Sequence, residues 1–216
     1  MGQRVRVQNF TVSADGYATG EGQSLQQPFG HANPAELMEW GFATASWPGR
    51  TDGGGSRGLD DYFTRDFSYG IGAEIMGRNK FGPQRGPWDD HEWLGWWGDN
   101  PPFRSPVFVL THHERPSFTL TDTTFHFLDA TPHAAVERAK VAANGLDVRA
   151  GGGPTTIRSF LEADVVDNMH IVVAPIMLDS GIRLWDTPAD FDDRFHHEII
   201  PSPSGVTHHL LWRRGR

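Results

Sequence analysis

The sequence predicts an α/β fold in which a mostly parallel central sheet ends in an antiparallel hairpin. Three stretches carry that reading. Residues 131–174 run helix, strand, glycine turn, helix, strand: Thr131 and Pro132 open a helix through Ala143, residues 146–150 form a strand, Gly151-Gly152-Gly153 a tight turn, 155–163 a helix and 170–174 a strand. Strands joined by a helix in so short a span need a right-handed crossover, which lays them parallel. Residues 194–200 and 206–212 flank Pro201-Ser202-Pro203-Ser204-Gly205, the pattern of an antiparallel hairpin at a sheet edge. Residues 5–12 alternate, are rich in β-branched side chains and close on Asp15-Gly16, so a strand opens the domain.

The remaining elements follow in order. Residues 20–58 are rich in Gly, Pro, Gln and Ser and read as a long loop with one short helix at 34–43. Residues 60–67 suit a helix, because Asp60 and Asp61 favour the positive end of its dipole. A short apolar strand follows at 73–76. Residues 82–106 hold Trp88, Trp93, Trp96 and Trp97 among prolines and glycines, too irregular for an element and best read as an excursion. Residues 107–110 and 124–128 are two further strands. The helix from Thr131 is the best marked, with a threonine cap, proline at its first position and Gly145 beyond its end.

Composition narrows the function classes. At 216 residues one hydrophobic core is expected, a single domain over 1–216. A net charge of −8 with scattered basic residues disfavours nucleic acid, although a few local donors can still hold an anionic cofactor. The chain has no cysteine, which removes disulfides, thiolate metal sites and thiol nucleophiles together. Residues 1–10 lack the apolar stretch of a signal peptide, and the longest apolar run, 171–178, is broken by Pro175. A cytoplasmic protein with a small-molecule partner and no membrane is expected.

The strongest chemical signal is Val148-Arg149-Ala150-Gly151-Gly152-Gly153-Pro154-Thr155-Thr156. Glycines between a strand and a helix let an anion approach the free N–H groups at the helix start, and the hydroxyls of Thr155 and Thr156 can add bonds. A tight turn that binds nothing has the same sequence, so both readings stand at this point. It is not the Rossmann fingerprint, and Gly70-Ile71-Gly72 lacks the third glycine and the preceding strand. The pairs His112-His113, His196-His197 and His208-His209 point to opposite faces of a strand, so a pair alone indicates no metal, and none is expected. Asp89-Asp90-His91-Glu92 is better read as solvated loop charge, and the tryptophans of 82–106 as a hydrophobic cluster pinning the loop.

Asp15-Gly16 after the first strand, Met76-Gly77-Arg78-Asn79 after the second, the Gly151–Gly153 turn before a helix and the terminal hairpin resemble, in the same order, the dihydrofolate reductase superfamily. Residues 165–181, a valine-aspartate turn, an apolar strand, a proline and a late glycine, look like its riboflavin-biosynthesis reductase branch. The likeness spans nearly the whole chain, with 20–58 and 82–106 matching least. It implies a three-layer fold with helices on both faces of the sheet, and a possible homodimer. It also implies NADPH as cofactor: Gly77, Arg78 and Asn79 toward the phosphates, Thr111 and His112 at the adenosine 2′-phosphate, Gly151, Gly152, Gly153, Thr155 and Thr156 around the pyrophosphate, and Ala18 within the 15–19 loop against the nicotinamide. Asp61, beside Asp60, matches the substrate-facing carboxylate of folate-reducing relatives, although as a helix-start residue it has a simpler explanation in the dipole. The implied activity is hydride transfer to a C=N or C=O bond of a pterin, aminopyrimidine or similar planar metabolite. A non-catalytic nucleotide-binding or sensor protein on the same fold, or a flavin-using reductase, remains the alternative.

Overall fold

The structure, a computed structural model, describes residues 2–88 and 91–215. In chain order its elements are β1 (Val5–Ser13), β2 (Tyr17–Thr19), α1 (Pro34–Phe42), α2 (Leu59–Arg65), β3 (Ile71–Gly77), α3 (Arg78–Phe81), β4 (Pro106–Leu110), β5 (Phe118–Leu120), β6 (Thr123–Leu128), α4 (Pro132–Ala142), β7 (Asp147–Ala150), α5 (Pro154–Glu162), β8 (Asn168–Ala174), β9 (Ile182–Arg183), β10 (Phe195–Pro201) and β11 (Thr207–Arg213). The sheet is mixed, with parallel pairing through its middle strands and antiparallel strands at its C-terminal end. Two compact units interleave in sequence: Met1–Arg6 with Gly70–Val166, and Val7–Tyr69 with Asp167–Arg216.

In the first unit the strand order is β1, β7, β3, β4, β6, β5. All neighbours are parallel except β5, which returns antiparallel beside β6. Alternation sends Val107 and Val109 to one face of β4, where they join Met76, Phe81, Phe103, Phe125 and Phe127 in one buried cluster. Trp88, Trp93 and Trp97 cover this cluster, so the 82–106 excursion is held by its aromatics. Trp93 also donates its indole N–H to Phe81 O at 3.1 Å. Helix α4 starts as expected: Thr131 Oγ1 accepts from Ala134 N–H at 3.3 Å and Pro132 takes the first turn. Its Ala135, Val136 and Ala139 form the buried stripe.

In the second unit the order is β10, β11, β8, β1, with β11 antiparallel to both its neighbours. The expected terminal hairpin is β10 and β11, joined through Ser202 N–H to Val206 O at 2.9 Å. Strands β2 and β9 form a separate two-stranded ribbon. Helix α1 is capped by Asn33, whose Oδ1 accepts from Ala35 N–H at 3.0 Å. Its Trp40 is buried with Val172 and Val206 and donates to Thr11 Oγ1 at 3.0 Å. No helix among the described residues is long and apolar enough to cross a membrane.

Candidate functional site

The glycine turn of the first unit is built around the end of β3. Gly151 N–H donates to Ile75 O at 2.8 Å, and Gly77 N–H donates to Gly152 O at 2.9 Å. A methyl group on Gly77 would strike Thr156 Oγ1, and one on Gly151 would strike the Glu74 carboxylate, with Lys80 Nζ 2.8 Å away. Glycine is therefore needed at both positions for close approach of backbone to side chains. The Gly152–Gly153 peptide is cis. Gly153 is the N-cap of α5, Pro154 sits in its first turn, and no side chain caps the helix. Gly77, Gly151, Gly152, Gly153 and Thr156 are thus brought together, with Thr155 between Pro154 and Thr156 on the same first turn.

Under this turn lies a charge cluster that the sequence reading missed. Glu74 on β3 and Arg149 on β7 are register partners, their side chains only 1% and 2% exposed, and they form an ion pair. Lys80 from α3 donates to Glu74 Oε1 at 3.0 Å and to Gly151 O at 2.7 Å. Burial pushes the Lys80 ammonium below its usual range, Glu74 pulls it back up and Arg149 pushes it down again. Among the described residues, Arg149 and Lys80 both reach the one buried Glu74 carboxylate.

Arg78 opens α3, directly after β3. Its guanidinium lies 3.8 Å over the Trp88 ring, and Nη1 donates to Gly86 O and approaches Thr111 Oγ1 at 3.5 Å. Among the described residues its Nε and Nη2 are buried and have no hydrogen-bond partner. Burial, then Arg85, pushes its pKa down. Asn79 Oδ1 accepts from Arg85. Thr111 Oγ1 is joined to the His113 backbone at both N and O, 3.1 Å each, and Trp88 donates to His113 O. Arg78, Trp88 and Thr111 therefore form one cluster. His112 stands apart: its side chain is 90% exposed and its Nδ1 meets Asp129 Oδ1 at 3.1 Å. The structure so brings a carboxylate to His112 that lies 17 positions away in sequence, where the local sequence shows none before Glu114.

A model of the RibD C-terminal domain family matches residues 5–190. The chain belongs to that family. It is the reductase branch that residues 165–181 resemble. Among curated proteins none matches the sequence. Of solved structures, a protein from Shewanella sp. PV-4 provisionally described as a riboflavin biosynthesis protein aligns over 100% of both chains, with 18% identity and a TM-score of 0.59. A diaminohydroxyphosphoribosylaminopyrimidine deaminase/5-amino-6-(5-phosphoribosylamino)uracil reductase from Thermotoga maritima aligns with 98% of this chain and 57% of its own, at 11% identity and a TM-score of 0.52. These two show the α/β fold that the chain shares with them. A dihydrofolate reductase from Enterococcus faecalis, solved with NADP(H), aligns with 80% of this chain and 89% of its own at 12% identity and a TM-score of 0.44.

The second unit holds the other two expected site residues. Ala18 is buried on β2. Nearby in sequence, burial raises the Asp15 carboxyl, but the Ser13 hydroxyl and the Leu178 and Asp179 N–H groups outweigh it and hold the pKa below the usual range. Asp61 is buried on α2; its Oδ1 accepts from Ser46 N–H at 2.7 Å and Arg65 lies 4.0 Å from Oδ2. Asp60 instead reaches His208 Nε2 at 2.8 Å, His208 Nδ1 meets His170 Nε2 at 2.9 Å, and His170 Nδ1 meets Asn9 Oδ1 at 2.8 Å. On the opposite face of β11, His209 Nδ1 meets His197 Nε2 at 2.9 Å and His209 Nε2 meets Thr207 Oγ1 at 3.0 Å. The sequence places these histidines on opposite faces correctly, but their partners come from strand register. Asp89 and Asp90 lie outside the described residues. Among those described, no three His, Asp or Glu side chains are grouped to hold a metal.

Burial, then His197 and His208, lowers the His209 pKa to about 4. Its folded value is below its unfolded one, so its contribution to stability is complete above about pH 6.5 and falls as the pH drops toward 4. His209→Gln is expected to flatten the pH dependence of the urea midpoint in that window, by up to about 1.4 kcal/mol per pH unit. Parallel wild-type and variant curves would show that His209 titrates normally.

Proposed function

We propose that the protein is an NADPH-dependent reductase that transfers hydride to a C=N or C=O bond of a small planar metabolite of pyrimidine or pteridine type. The observation that carries this reading is Arg78: a guanidinium laid on Trp88, with two buried donors lacking partners among the described residues, at the end of the strand that Gly77 ties to the glycine turn. Buried donors without acceptors are costly, and a phosphate oxygen is the acceptor a guanidinium matches best.

The residues present fit a dinucleotide with phosphate groups. The uncapped start of α5 and the Gly151–Gly153 turn favour a pyrophosphate, and Lys80 anchors the turn through Gly151 O to the buried Glu74 and Arg149 pair. Arg78 and Thr111 would take a further phosphate, which favours NADPH over NADH. His112 contributes less there, since it is solvent-exposed and already faces Asp129. When bound, the reduced nicotinamide supplies a hydride. The chain's own work is to fix the cofactor's orientation and to provide the proton that must reach nitrogen or oxygen. Membership of the RibD C-terminal domain family supports reduction as the reaction, and the name of the Thermotoga protein supports an aminopyrimidine as the first substrate to try.

Titration with NADPH and NADH, following nicotinamide emission, tests the reading. Wild-type protein is expected to bind NADPH in the micromolar range and NADH more weakly, and Arg78→Ala to weaken NADPH by about 10- to 100-fold. Absence of binding by either nucleotide would remove the reductase reading and leave the fold.

A further inference from the structure

We propose that residues 85–88 make the Arg78 site selective for a phosphate monoester: Trp88 is a positioning residue that keeps one edge of the Arg78 guanidinium for the phosphate, and Arg85 is the second cation that the dianion takes. Equating this monoester with the 2′-phosphate of NADPH rests on the reductase reading; the two-guanidinium site does not. All these residues lie in the first unit, and 85–88 belong to a stretch where the likeness to the superfamily is weakest.

The donors of Arg78 divide into two groups. Nη1 is used, donating to Gly86 O and lying 3.5 Å from Thr111 Oγ1. Nε and Nη2 are buried and have no partner among the described residues. Those two N–H groups point in parallel from one side of the planar guanidinium, the edge that grips two oxygens of a single phosphate. The fold therefore spends the other nitrogen on a backbone carbonyl and leaves the bidentate edge unspent.

Trp88 fixes the direction of that edge. The guanidinium carbon lies 3.8 Å from the centre of the Trp88 ring, the separation of a cation–π stack. Tilting the guanidinium loses the stack, and turning it in its own plane loses the bond from Nη1 to Gly86 O. Trp88 is itself anchored. It donates its indole N–H to His113 O and meets Phe81 and Phe127 edge to face at 6.0 and 5.5 Å, on the buried cluster of β3, β4 and β6. Arg115 lies 5.1 Å from the same ring but is engaged by Trp93 O and His91 O, so it is not the second cation.

Arg85 fills that role. It is exposed and donates to Asn79 Oδ1. After burial, its like charge is what pushes the Arg78 pKa down, and no carboxylate among the described residues offsets it. Two guanidiniums side by side without an anion are stabilised by one placed between them. A phosphate monoester carries nearly two negative charges at pH 7, which matches the pair. The unpaired edge of Arg78 is shut from solvent, so the turn lying against it must give way as the phosphate enters. Arg85, Gly86 and Pro87 are all exposed, and Gly86 has φ 70° with open space around it. This turn can lift while Trp88 stays on the core, releasing Nη1 from Gly86 O and Arg85 from Asn79.

Titration calorimetry of the full chain with NADPH, NADH, 2′-AMP and adenosine tests the proposal. Wild-type protein should prefer NADPH to NADH and bind 2′-AMP but not adenosine. Arg85→Gln should reduce the preference for NADPH over NADH about 10-fold, and Arg85→Glu further, both with an unchanged urea midpoint because the side chain is exposed. Trp88→Leu, which keeps an apolar side chain on the cluster, should reduce the preference by a similar factor, whereas Trp88→Phe retains most of it by keeping a ring face for Arg78. An unchanged preference in Arg85→Gln overturns the second cation. Equal weakening of NADPH and NADH in Trp88→Leu assigns Trp88 to packing and overturns its positioning role. Equal binding of the two dinucleotides by the wild type, without binding of 2′-AMP, overturns the monoester site and leaves the reductase reading standing. Binding of 2′-AMP that is lost in Arg85→Gln, with neither dinucleotide bound, upholds the site and removes the reductase reading.

Discussion

Glu74→Ala is expected to destabilise the protein by about 3–5 kcal/mol, read as a fall in the urea midpoint. Its carboxylate is almost completely buried between Arg149, its register partner on β7, and Lys80 at 3.0 Å. Removing it takes from Arg149 and Lys80 the buried carboxylate they share. Lys80 has one way out, which is to give up its proton, and burial already pushes it in that direction. With a folded pKa depressed below the unfolded one, the unfolded state binds more protons, so stability of the variant should rise with pH through that window. Glu74→Leu with Arg149→Met and Lys80→Met should recover much of the loss, because exchanging a whole buried ionic cluster for apolar side chains is often neutral. Additive losses in the triple variant would show that the three residues do not act as one unit.

The charged residues inside two apolar strands are also where the sequence had more to tell. Glu74 stands in Ala73-Glu74-Ile75-Met76 and Arg149 in Val148-Arg149-Ala150, single opposite charges in runs that otherwise bury well. Buried charges are rarely unpaired, so each implies a partner. Pairing them needs the register of β3 on β7, which no local pattern gives. The glycine turn and Gly77-Arg78 were readable because strand, glycine and helix start are local signals. Strands β2, β5 and β9 were not, being two or three residues long and too short to show a period. Asp60 and Asp61 look alike as residues at a helix start. Burial separates them, since one turns to the Ser46 backbone and the other to His208.

Gly77→Ala is expected to cost about 1–3 kcal/mol in stability and to weaken NADPH binding together with it. The backbone of Gly77 has φ −76° and ψ 154°, an ordinary extended conformation, so conformational strain is not the reason. The reason is contact: the added methyl meets Thr156 Oγ1, while the Thr156 Cβ lies at 3.4 Å, close to normal packing. Relief comes by turning the Thr156 hydroxyl out of its rotamer or by moving the end of β3 from the start of α5, which stretches the 2.9 Å bond from Gly77 N–H to Gly152 O. Adding Thr156→Ala removes the clashing oxygen, so the double variant should return near wild-type stability. Its NADPH affinity should not return if the Thr156 hydroxyl is itself a phosphate ligand, since that donor is gone. Recovery of stability without recovery of binding therefore assigns Gly77 to packing and Thr156 to the cofactor. Recovery of both would assign the whole effect to the position of α5. A single Gly77→Ala variant as stable as the wild type would mean that β3 and α5 are not in tight contact.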